Sequence, residues 1–186
     1  QGGVNAFTTM GKNYGVEIDE TLATETVKNY RRANKRIVSL WHTMNDGVMD
    51  VVGRTIKCKT VGQLLIELED DWLTVRLPSG RKLTYYKPLN EDHESSGRIK
   101  TTFMGVGFNR KFMRIDTYGG KIVENVTQAV ARDVLGANLS VIEAAGYEIV
   151  ATVHDEVVTL CPDEEQYNAP ALSALLSTSP SWADGL

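Results

Sequence analysis

Residues 147–160 read Tyr147-Glu148-Ile149-Val150-Ala151-Thr152-Val153-His154-Asp155-Glu156-Val157-Val158-Thr159-Leu160. Two runs rich in β-branched residues flank a polar triplet, the pattern of two antiparallel strands joined by a turn. Pro162 closes the second run. A short hairpin turn ordinarily favours Asn-Gly or Asp-Gly. Here the turn has no glycine and carries two adjacent carboxylates and an imidazole. Three polar groups do not enter a core without partners. The triplet therefore stands at an exposed tip or in a functional cleft. Side chains alternate along a strand, which would let Asp155 face a metal while His154 and Glu156 face elsewhere. An acidic turn without a function gives the same triplet, and that reading stays open on these residues alone.

Upstream, Lys121 to about Ala145 reads as a long helix. Val123, Val126, Val130, Val134, Ala137, Val141 and Ala144 recur at helical spacing and are expected to form its buried stripe. Gly146 is suited to the C′ position that ends it. A last helix is expected over about 168–177.

Further upstream the pattern changes. Trp72–Leu77 and Arg81–Tyr86 alternate like strands around the turn Pro78-Ser79-Gly80. Residues 90–97 are polar and read as a loop. Residues 98–121 hold six basic groups, Arg98, Lys100, Arg110, Lys111, Arg114 and Lys121, against the single acid Asp116, with Phe103, Phe108, Phe112 and Tyr118 between them. That mixture suits nucleic acid, and it also suits a β-rich insertion with a solvated face. Residues 5–13 read as a short helix ended by Tyr14-Gly15. Asp19 then looks like the N-cap of one long helix reaching about Met49. Its Lys28, Arg31, Arg32, Lys35 and Arg36 form either a solvated face or a surface that meets phosphates.

The 186 residues are 42% hydrophobic and 24% charged, an ordinary globular composition. No apolar run approaches the roughly 18 residues of a membrane span, and the N-terminus lacks the pattern of a signal peptide. Those features point to the cytoplasm. Cys58 and Cys161 form no CxxC pair, and with His42, His93 and His154 as the only histidines a zinc site is not expected. The net charge of −4 hides a division: residues 1–132 carry +5 and residues 133–186 carry −9. A basic part beside an acidic part suits a protein that grips phosphates with one and holds metal ions with the other.

Val153-His154-Asp155-Glu156-Val157 resembles motif C of the family A DNA polymerases. Lys121-Ile122-Val123-Glu124-Asn125-Val126-Thr127-Gln128-Ala129-Val130-Ala131-Arg132-Asp133 resembles the helix of that family that faces the primer-template. Gln128 and Asp133 keep the family spacing. The family's Asn position falls on Glu124, with Asn125 next to it, and either residue could take that role. Gly120 stands where the family often has arginine, with Lys121 the nearest basic residue. Gly2-Gly3-Val4-Asn5-Ala6-Phe7 looks like the end of motif B, with Gly2 in place of its tyrosine. Leu77-Pro78-Ser79-Gly80-Arg81 and Tyr118-Gly119-Gly120-Lys121 look like segments of the bacteriophage branch.

The resemblance implies an α+β fold. It divides the chain into a fingers-like helical segment over 1–50, a β-rich insertion over 51–118, and a palm segment with the motif C hairpin over 119–186. It implies template-directed nucleotidyl transfer in DNA replication, on primer-template DNA and dNTPs, with two Mg²⁺ ions in the complete site. Asp155 would be a metal ligand and Glu156 a secondary catalytic group. His154 would contact the primer terminus. Gln128, Asn125 and Lys121 would lie against DNA, Gln128 on the minor-groove edge. The family's other metal carboxylate comes from motif A, ahead of motif B, so the chain is expected to be a fragment inactive by itself. No membrane partner is expected, and a processivity factor is left open. The alternatives are a non-catalytic DNA-binding module and a metal-dependent nuclease or phosphohydrolase built on Asp155 and Glu156.

Overall fold

A computed structural model describes residues 3–92 and 99–184. Gln1, Gly2 and most of the polar segment 90–97 lie outside the described residues. The fold mixes helices with antiparallel sheet. Helices α1 (Val4–Asn13), α2 (Glu20–Ala33) and α3 (Lys35–Val52) come first. Strands β1 (Cys58–Val61), β2 (Leu64–Glu69), β3 (Trp72–Arg76), β4 (Lys82–Asp92), β5 (Ile99–Val106) and β6 (Phe112–Thr117) follow. Then come α4 (Gly119–Ala144), β7 (Glu148–Val153), β8 (Glu156–Leu160) and α5 (Ala169–Leu176). The first six strands form one sheet in sequence order, and β7 and β8 form a second, two-stranded sheet.

By packing, the chain forms two compact units. One comprises residues 1–75 and 84–125, the other residues 76–83 and 126–186.

In the first unit Asp19 caps α2 as its position suggests: its Oδ1 accepts from the Leu22 amide at 2.8 Å. The single helix expected from there to Met49 is two helices, broken at Asn34. That residue leaves helical geometry (φ −110°, ψ 49°). Its Nδ2 donates to the Tyr30 carbonyl at 2.9 Å. Asparagine bonds nearby backbone in non-helical conformations, so it terminates one helix and opens the next. Met44, Gly47, Val48 and Val51 on α3 recur at helical spacing and are buried. Val61, Ile66, Leu73 and Val75 of the strands are buried as well, and α3 lies against β1, β2 and β5. Strand β4 runs to Asp92, so residues 90–92 are strand where a loop was expected. Asn90 explains this: its Nδ2 donates to the Met49 carbonyl, and its Oδ1 accepts from Thr101 Oγ1. A polar residue thus belongs in the sheet because it has partners there.

In the second unit α4 ends as its glycine suggests. Gly146 has φ 94°, its amide donates to the Glu143 carbonyl, and the Tyr147 amide donates to the Ile142 carbonyl. Those are the two bonds of a Schellman C-cap. The buried face of α4 differs from the expected stripe. Ile122, Val123, Val126, Ala129, Leu135 and Ile142 are buried, whereas Val141 is 39% exposed. Asn138 is buried too, and its Nδ2 donates to the Leu176 carbonyl at 2.8 Å. The larger side chains and one satisfied amide face the core, and several small valines and alanines do not. Helix α5 begins where Asn168 Oδ1 accepts from the Ala171 amide.

Candidate functional site

The hairpin β7–β8 presents the triplet. Val153 pairs with Glu156 across the ladder, leaving His154 and Asp155 as the two central residues of the turn. The alternation argument therefore applies to Glu156 alone. Asp155 is aimed by the turn rather than by a strand. His154 takes φ 55°, and Asp155 is not among the residues with positive φ. A positive φ at the first central position is a place where glycine is usual. For a non-glycine residue that conformation costs about 1–2 kcal/mol, with His among the side chains enriched in it. The chain keeps an imidazole where glycine would sit more easily.

All three side chains are exposed, and one face of the hairpin is open, while Ile149, Val157 and Thr159 are half-buried. Val150, Val153, Val158 and Leu160 are each about half exposed or more. A solitary two-stranded ribbon is marginal in water. This one is anchored at its base. Tyr147 is buried and meets Tyr167 edge-on at 5.1 Å. A Cβ on Gly146 would meet Tyr167 Oη at 2.5 Å, so glycine is required there both for its φ and for this approach.

Asp155 and Glu156 place two adjacent carboxylates in solvent, a donor set that suits a hard, oxygen-seeking ion such as Mg²⁺. Among the described residues no three His, Cys, Asp or Glu side chains come together as a metal-binding group. The tip can supply carboxylate ligands and does not complete a coordination sphere with them. Cys58 and Cys161 are both free.

Gln128 is exposed on α4 in the same unit as the hairpin. Asp133, five residues on, has a role that spacing did not disclose. Its carboxylate accepts from Ser79 Oγ at 2.5 Å and from Arg81 Nε at 2.6 Å. Arg81 Nη2 also donates to the Ala129 carbonyl at 3.0 Å. The Leu77–Arg81 turn is thereby clamped to α4. Beside it lies a cleft of about 460 Å³ lined by Ser79, Arg81, Arg132, Asp133, Gly136 and Trp182.

Asn125 and Lys121 belong to the first unit. Asn125 is half-buried, and its Nδ2 donates to Tyr85 Oη at 3.0 Å. Burial pushes the Tyr85 hydroxyl above its ordinary pKa, and the Asn125 bond partly opposes that shift. Lys121 and Glu124 are exposed. Lys121 borders a cavity of about 580 Å³ with Phe108, Met113 and Ile115. Lys28, Arg31, Arg32, Lys35 and Arg36 all project into solvent.

Over an alignment of 187 positions that covers the whole chain, 38% are identical to a protein named DNA polymerase from Bacillus phage SP02. The chain is similar to a phage DNA polymerase. It spans 28% of the length of that polymerase. No protein-family model matches the chain, and no solved structure matches it. The similarity to the phage polymerase takes in the β7–β8 hairpin, the α4 helix and the whole six-stranded sheet, because it runs from one end of the chain to the other. No helix among the described residues is long and apolar enough to cross a membrane.

Proposed function

We propose that this chain is the motif B-to-motif C portion of a family A DNA-directed DNA polymerase. In this reading α1–α3 belong to the fingers and the β7–β8 hairpin to the palm. The observation that carries it is the 38% identity to a phage DNA polymerase along the entire chain. The exposed His154-Asp155-Glu156 tip supports it with a chemical feature that a solvated hairpin does not need. The polymerase name of the relative favours this reading over the nuclease and the non-catalytic alternatives.

The residues divide the work as follows. Asp155 contributes its carboxylate to the metal pair of the complete site. Bound Mg²⁺ would lower the pKa of the primer 3′-hydroxyl and neutralise charge on the departing pyrophosphate. Glu156, one residue on and directed by the strand, would hydrogen-bond solvent beside the metal site. His154 projects from the turn toward the primer terminus. Gln128 offers an amide to the minor-groove edge, where acceptors common to all base pairs allow contact without sequence preference. The exposed cations of α2 and α3 meet phosphates. In the family pattern the second metal carboxylate would come from motif A, which is not among the motifs matched in this chain. The substrates are primer-template DNA and dNTPs, and the compartment is the cytoplasm of an infected bacterium.

The test is a segment exchange. This chain replaces the matching segment of the SP02 polymerase, and primer extension is measured with Mg²⁺ and dNTPs. An active chimera that is silenced by Asp155→Ala supports the proposal. An active chimera indifferent to Asp155→Ala contradicts it.

A further inference from the structure

Two adjacent tyrosines of β4 have opposite fates. Tyr85 is buried and meets Phe103 edge-on at 5.1 Å. Tyr86 lies on the other face of the sheet, in a row of rings. Its centroid is 4.7 Å from Trp72 and 6.4 Å from Phe112. The register explains the row. Tyr86 pairs with Met104, Met104 with Arg114, and Val106 with Phe112, so these side chains share one face. Trp72 is 42% exposed and Phe112 60%.

Cations accompany the rings. The ladder shifts register between Tyr86 and Leu89, and Lys87 takes φ 46° there. Its Nζ lies 5.4 Å from the centre of the Tyr86 ring. Arg114 Nη1 donates to the Lys87 carbonyl and to Thr102 Oγ1, each at 3.0 Å, which fixes the guanidinium beside the row. Exposed Arg110 and Lys111 stand just ahead of Phe112. The nearby acid Asp116 is held by Lys100 at 3.0 Å. Asp70 and Asp71 precede Trp72, so the charge of the row runs from acidic at that end to basic at Phe112.

We propose that the Trp72–Tyr86–Phe112 row, with Lys87 and Arg114, is a stacking platform for single-stranded DNA. The identity of the occupant rests on the polymerase reading, and the site is separate from the Asp155 tip. Exposed ring faces gain from unpaired bases, because paired bases already stack on their neighbours, and flanking cations follow the phosphates. The core of a protein–protein interface is instead depleted in lysine, which disfavours a protein occupant for a face with Lys87 at its centre.

The experiment uses this 186-residue chain and fluorescence anisotropy with labelled oligothymidylate of about twenty nucleotides, against a duplex of the same length. The expected result is tighter binding to the single strand, with quenching of tryptophan fluorescence. Phe112→Ala should weaken single-strand binding about 5-fold or more while duplex binding stays within about 2-fold. Phe112→Tyr keeps a ring and should restore the affinity. Circular dichroism checks that each variant keeps its fold. Equal binding of single strand and duplex, no binding of the single strand, or a Phe112→Ala affinity matching the unmodified chain would each overturn the proposal. The readout is strand binding by this chain and not primer extension, so a failure here is separable from a failure of the extension assay.

Discussion

Arg81 and Asp133 are 52 positions apart, and Arg81 Nε donates to Asp133 Oδ1 at 2.6 Å. Ser79 Oγ donates to the other carboxylate oxygen. The Asp133 side chain is 11% exposed and that of Arg81 48%. A carboxylate this sheltered, holding two donors, fixes the β3–β4 turn on α4. An exposed guanidinium is partly screened by water, which limits the contribution of the pair. Asp133→Ala is expected to cost about 1–2 kcal/mol, because it strips a bond each from half-buried Ser79 and exposed Arg81. Urea denaturation of the variant measures the loss. Arg81→Ala should cost less, and a double variant should fall short of the sum of the two.

Glycines in α4 give opposite outcomes. A Cβ on Gly119 would sit 2.0 Å from the Trp41 carbonyl oxygen and 2.6 Å from the Asn45 amide nitrogen, both rigid helix backbone. Gly119→Ala is therefore expected to destabilise by at least about 2 kcal/mol. Gly136 has nothing within 4 Å of its notional Cβ. Gly136→Ala should raise stability by about 0.5–1 kcal/mol, since alanine loses less backbone entropy in a helix. Thermal melts of the two variants should move in opposite directions.

Tyr85 makes stability depend on alkaline pH. Burial raises its pKa in the folded chain above that of the unfolded chain. The folded state then binds more protons over the interval between the two values. Its contribution is complete below the unfolded pKa and is lost as pH rises through the folded one. Tyr85→Phe should flatten the alkaline limb of a stability profile. Asn125→Ala removes the bond that opposes the shift, so the slowest-titrating phenol should move to still higher pH in an ultraviolet titration.

The hairpin, the cap at Asp19 and the glycine end of α4 were legible in the sequence, because each is local: a short run of side chains carries its own geometry. The break at Asn34 was not, since helical apolar spacing on both sides hid a residue that bonds its own backbone. The buried stripe of α4 was legible at Val123 and Val126 and misread toward Val141 and Ala144 for a related reason. Valine and alanine occur around most of that helix, and the neighbouring elements choose which of them are covered. The Ser79–Arg81–Asp133 clamp and the Trp72–Tyr86–Phe112 row unite residues from distant segments, and no spacing rule exposes them. At the candidate site, the residue types of the triplet and the turn that holds Asp155 were legible, and the start of the second strand at Glu156 was not.

His154 separates stability from function. Its φ of 55° would suit glycine, and His154→Gly relieves that strain while freeing the unfolded chain. The two effects oppose each other, so stability should change by less than about 1 kcal/mol. In the chimeric polymerase the same variant should raise the KM for primer-template more than it lowers kcat, because the role proposed for the imidazole is to position the primer terminus. An unaltered KM would remove His154 from the primer site.

The central claim is that the Asp155 carboxylate serves nucleotidyl transfer, and the most direct measurement is single-turnover primer extension by the chimeric polymerase with Asp or Ala at position 155. On that claim Asp155→Ala should slow extension by at least about a thousandfold, more than about 4 kcal/mol of transition-state stabilisation, while primer-template affinity stays within about 3-fold. Extension by Asp155→Ala within about tenfold of the unsubstituted chimera would contradict the account.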